Sequence, residues 1–72
     1  MPKKVILENN LKKLRFENGE ITQDELARQL GVSRQTIIAI EKGKFNPSVA
    51  LALQMARYFE CSIEAIFNIK ED

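Results

Sequence analysis

The sequence predicts an all-α bundle of short helices, and three observations predict it. Short polar residues able to cap a helix recur along the chain, at Asn9 or Asn10 and at Thr22, Ser33, Ser48 and Ser62. Each places a side-chain oxygen where it can accept a backbone N–H of a first helical turn. Between these points the apolar residues follow helical spacing rather than alternation, and Gly19, Gly31 and Gly43 stand where the segments stop.

The chain opens on Val5-Ile6-Leu7, an apolar and β-prone run that reads as an edge strand or a hydrophobic arm near residues 4–7. A first helix follows, with Leu11 and Leu14 on one face and Lys12 and Lys13 outward. Thr22 to Glu25 is a capping box, with Ile21 and Leu26 at the spacing of a hydrophobic staple. This second helix runs to Leu30 and stops at Gly31. Ser33 caps a third, with Ile37 and Ile40 inward, ending at Lys42-Gly43. The segment 44–47 is a loop, since Pro47 keeps the residue before it out of a helix. Ser48 caps a fourth helix over 49 to about 59, read as central because Leu51, Leu53, Ala56 and Phe59 are dense. Ser62 caps a fifth, from 63 to about 67. The stretch 66–69 is again β-prone, so the two ends can pair as a small antiparallel sheet. An isolated strand pair is marginal in water, but two such pairs across a dimer axis could support each other.

Seventy-two residues make one domain, spanning 1–72. A chain near that length buries only about 60% of its unfolded surface, and dimerisation is a common way to add burial. Apolar stretches of a few residues fall far short of the ~20 needed to cross a bilayer, and the start is too short and broken by Glu8 to be a signal peptide. One cysteine and no histidine leave no disulfide framework, zinc cluster or histidine-based triad. No cofactor or metal is expected, and a reducing cytoplasm fits best. Cys61 reads as a small packing residue, with a redox switch as the lesser alternative.

Net charge is only +1, but it is unevenly placed. Residues 1–27 balance, residues 28–57 carry +4, and residues 58–72 carry −3. The basic middle coincides with the second and third helices and the loop after them. There the start of the third helix presents Arg34, Gln35 and Thr36. Arginine can donate twice to guanine and glutamine can pair with adenine, while threonine suits a phosphate or a thymine methyl. Arg34 opposes the helix dipole, which points to a ligand rather than to stability. Gln23 opens the second helix, where free N–H groups suit a phosphate. Lys42, Lys44 and Asn46 suit phosphate clamping with the Gly43 N–H, which sets register without reading sequence. Ile38 faces partly outward, either onto thymine methyls or into a half-buried groove. Phe45 reads as a loop aromatic covering the core. The bland alternative throughout is a solvated polar face.

These residues resemble a known family, the lambda-repressor-like, Cro-type or xenobiotic-response-element regulators with a helix-turn-helix at 23–42. The likeness runs from about Asn10 to Phe67. It rests on Thr22-Gln23, Glu25-Leu26-Ala27, Gly31-Val32-Ser33, the run from Ile37 to Glu41, Gly43, Asn46-Pro47-Ser48 and Ser62-Ile63-Glu64. The link from the first to the second helix is one residue longer than usual.

The resemblance implies a five-helix bundle, a homodimer and a cytoplasmic, nucleoid-associated repressor of prokaryotic or phage-like type that binds double-stranded DNA. It implies a backbone contact from Gln23, a base-contact position at Ala39, and an interior salt bridge between Arg15 and Glu41. The terminal residues Val5, Leu7, Ile66, Phe67 and Ile69 are candidate dimer elements. The acidic tail and apolar ends also admit an antitoxin-type module that binds a toxin and regulates its own operon. An enzyme is disfavoured, with no histidine and no glycine-rich phosphate loop.

Overall fold

Helix caps set the order of the fold. In the computed structural model, which describes residues 5–71 apart from the side chains of Val5 and Glu71, the elements run β1 (Val5–Asn9), α1 (Leu11–Glu17), α2 (Gln23–Leu30), α3 (Arg34–Glu41), α4 (Val49–Phe59), α5 (Ile63–Ile66) and β2 (Phe67–Glu71). Four helices begin as the sequence predicts. Thr22, Ser33, Ser48 and Ser62 each sit in extended backbone and accept the N–H three residues on, from Glu25, Thr36, Leu51 and Ala65. At α1, where the sequence offered Asn9 or Asn10, Asn10 makes no side-chain cap and Asn9 accepts the Leu11 N–H, at 3.1 Å.

The capping box is half formed. Thr22 Oγ1 accepts from Glu25 N at 3.0 Å, but the Glu25 carboxylate turns down the helix, where Arg28 and Gln29 donate to it. The Gln29 hydrogen bond and the Arg28 charge hold that carboxyl below its ordinary range. Two charged or amide donors on its own helix outcompete one backbone N–H.

The caps orient a small core. Leu11, Leu26, Ile37, Ile40, Met55 and Ile66 are fully buried, one or more from each helix, with Ile21, Leu14 and Val32 packed against them. Three expectations fail here. Leu53 is 54% exposed, and α4 buries Leu51, Ala52, Met55, Ala56 and Phe59 instead. The inward stripe follows i, i+1, i+4, i+5, which Leu53 does not join. Phe45 is 50% exposed and does not cover the core. Ile66 and Phe67, read as dimer elements, are buried within the protomer's own core.

The two ends pair as an antiparallel ribbon in which Leu7 faces Ile69 and Asn9 faces Phe67. β1 extends two residues past the predicted run, and the Lys4 end of that run lies outside the described residues. β2 starts at Phe67, where backbone turns extended, so α5 ends one residue before the prediction. The same alternation that buries Phe67 and half-buries Leu7 leaves Ile69 69% exposed farther out on that face.

Candidate nucleic-acid interface

The turn between α2 and α3 is made by three residues. Gly31 adopts φ 71°, a left-handed conformation that costs a glycine nothing, and Val32 N donates back to Ala27 O at 3.0 Å. Ala27 is buried, and its single methyl lets the two helices close on one another. Val32 then packs on the core, and Ser33 starts α3 in a new direction.

α3 divides cleanly. Ile37 and Ile40 point into the core. Arg34 and Gln35 are exposed on its first turn, and Ile38 and Ala39 are half-buried beside them. The Ser33 side chain accepts Thr36 N at 3.1 Å and lies 2.9 Å from Thr36 Oγ1. Thr36 can still receive a ligand, but its hydroxyl already shares a hydrogen bond with the cap. Because Ser33 ties down the exposed turn, Ser33→Ala is expected to cost about 1 kcal/mol of stability. Urea unfolding of the variant measures it, and an unshifted midpoint counts against the cap.

The loop after α3 exposes Lys42, Lys44 and Asn46 together. Its backbone is occupied: Lys42 N donates to Ile38 O, Gly43 N to Ile40 O, and Lys44 N to Ala39 O. The Gly43 N–H expected to meet a phosphate is therefore spent closing the helix.

Behind the exposed face, α1, α2 and α3 meet in one polar cluster. Arg15, 8% exposed, donates through Nε to Glu41 Oε2 at 2.6 Å and through Nη2 to Glu41 Oε1 at 3.0 Å. Its Nη1 donates to Ile21 O at 3.0 Å. Gln23 Nε2 donates to Glu41 Oε1 at 3.1 Å. The cluster thus fixes the entry of α2 against the last turn of α3.

A helix-turn-helix family model matches residues 11–66. An uncharacterized helix-turn-helix-type transcriptional regulator of Methanocaldococcus jannaschii is 52% identical over 66 residues, covering 92% of this chain and 98% of that protein. The chain belongs to the helix-turn-helix family. A second relative, the uncharacterized helix-turn-helix-type regulator YgzD of Bacillus subtilis, is 39% identical over 66 residues with the same coverage, 92% and 98%. The crystal structure of the transcriptional regulator VanUg matches with a TM-score of 0.78 at 25% identity, covering 94% of this chain and 89% of that one. The family is a class of non-enzymatic regulators.

Set against that helix-turn-helix frame, the candidate base-edge residues Arg34, Gln35, Ile38 and Ala39 lie on one accessible side of α3, and Lys42, Lys44 and Asn46 continue from its end. Gln23 stands apart from them on α2, joined to α3 through Glu41. Sequence reading missed the Gln23–Glu41 hydrogen bond and a second support at the end of β1. Asn9 Nδ2 donates to Ile40 O at 2.9 Å, tying the end of β1 to the last turn of α3. The only signal was an asparagine beside a helix start, which also reads as a cap.

Proposed function

We propose that the protein is a sequence-specific, double-stranded DNA-binding regulator that acts as a homodimeric repressor in the cytoplasm, at the nucleoid. The observation that carries the reading is the division of α3: one side is locked into the core by Ile37 and Ile40, and the other offers Arg34 and Gln35 at a capped, rigid start. An α-helix fits the major groove, where arginine and glutamine can distinguish base pairs. The relatives named as transcriptional regulators support the same reading. No helix among the described residues is long and apolar enough to cross a membrane.

The homodimer rests on the exposed apolar side chains of Ile69, Val49 and Leu53 in a chain with little core, with Leu7 half-buried beside Ile69. Of the terminal set, Val5, Leu7 and Ile69 remain as dimer candidates, with Val5 placed by the strand register alone. Val49 and Leu53 on α4, 75% and 54% exposed, add a second uncovered surface. Repression would follow from occupying a promoter and excluding polymerase.

Selection of bound sequences from a random duplex pool tests this. The expected result is a two-fold symmetric motif with half-sites about one turn, ~34 Å, apart. A single unrepeated half-site rejects the dimer, and no enrichment rejects sequence reading altogether.

A further inference from the structure

Where α1, α2 and α3 meet, the surface sinks into a cleft of about 250 Å³ lined by Lys12, Arg15, Gln23, Ile38, Glu41 and Lys42. Its floor is the Arg15–Glu41 pair, whose two charges cancel. The sign of the cleft is therefore set by the two lysines, one from α1 and one from the end of α3. Between them stands Gln23. A carboxylate can only accept, so Glu41 obliges the Gln23 side chain to turn its NH₂ group toward it. That amide has a second N–H, which the hydrogen bond to Glu41 leaves available as a donor. Ile38 gives the cleft one apolar wall. Two cations, one oriented neutral donor and a neutralised floor suit a monovalent oxyanion.

We propose that this cleft seats one phosphate of the DNA backbone, with Lys12 as a phosphate-binding residue beside Gln23 and Lys42, and with Glu41 as the residue that aims the Gln23 amide. The inference rests on the DNA-binding reading above and adds to it a contact from α1, outside the two-helix unit. Lys12 was read from the sequence as solvated charge on an outward face. Only the fold shows that this face borders the Gln23 side chain.

The test is a set of salt-dependent duplex titrations on the full chain, using matched and scrambled sequences. Lys12→Gln removes one charge from an exposed position, and Lys13→Gln does the same one residue on, outside the cleft. Lys12→Gln is expected to lower the magnitude of the log K against log salt slope by about 0.9 per bound protomer. It should weaken both duplexes equally, while Lys13→Gln leaves the slope as in the unaltered chain. Gln23→Ala is expected to lose roughly tenfold in affinity with the slope unchanged, because a neutral donor displaces no counterion. Because both groups would share one phosphate, the double variant should lose less than the product of the single losses.

Equal slope changes for Lys12→Gln and Lys13→Gln overturn the seat, since they mark general charge attraction. An unchanged slope for Lys12→Gln, with binding by the unaltered chain intact, overturns the Lys12 contact and leaves the DNA-binding reading standing. Fully multiplicative losses overturn the shared phosphate. If the unaltered chain binds neither duplex at any salt, the DNA-binding reading falls and this inference falls with it.

Discussion

Glu41→Ala is expected to destabilise the protein by about 3–5 kcal/mol, the cost of leaving a buried charge without its partner. Arg15 and Glu41 keep only 9% of their side-chain surface each, so the guanidinium loses its main partner in a place where solvent screens it poorly. Small domains hold only about 5–15 kcal/mol in total, and a chain this short sits toward the bottom of that range. The variant should therefore be largely unfolded in mild urea. The companion substitution sharpens the prediction. Replacing both partners with leucine removes the unpaired charge, which elsewhere is often neutral or stabilising. Here it would also strip the part-buried Ile21 O of the Arg15 Nη1 donor, and an unpaired buried acceptor costs at most about 1–3 kcal/mol. The double variant should thus fall between the unaltered chain and Glu41→Ala. Urea midpoints at constant slope measure all three. A loss below about 1 kcal/mol for Glu41→Ala would class the pair with surface salt bridges and remove the case that it fixes α2 against α3.

That pair also shows what the sequence could and could not convey. Helix starts were legible because they are local: Thr22, Ser33, Ser48 and Ser62 act on backbone three residues away. The Gly31 turn was legible for the same reason. The terminal ribbon was legible as two β-prone ends, although its register, Leu7 against Ile69, needed the fold. Long-range polar contacts were not legible from spacing. The Arg15–Glu41 pair came only with the family resemblance, and neither Gln23 to Glu41 nor Asn9 to Ile40 was foreseen. Asn9 does accept the N–H of Leu11 at the helix start, but nothing local shows that its amide also reaches Ile40, 31 residues on. Apolar residues misled in the opposite direction. Leu53 and Phe45 were assigned inward by type, whereas α4 turns the stripe of Leu51, Ala52, Met55 and Phe59 to the core. Ile66 erred the other way. It looked like a strand residue free for a partner, yet as the last residue of α5 it fills the protomer's own core.

Arg34→Ala is expected to cost about 1–3 kcal/mol of base discrimination at one position of each half-site, with little change in the fold. The two effects separate because of where Arg34 lies. It is exposed, and the Ser33 cap fixes its helical turn through backbone, not through the arginine. Its charge at a helix start opposes the dipole, so alanine should leave stability equal or slightly raised. A loss in binding therefore cannot be ascribed to unfolding. The matched control is Lys44→Ala, in the exposed loop after α3. Phosphate contacts position without reading sequence, so this variant should weaken matched and scrambled duplexes alike and lower the salt slope by about 0.9 per protomer. Arg34→Ala should instead narrow the gap between the two duplexes. Titration of both variants against both duplexes gives four affinities and two slopes. If Arg34→Ala lowers both duplexes by the same factor, Arg34 is a backbone contact. The reading of bases would then pass to Gln35, with Ile38 and Ala39 limited to apolar contact.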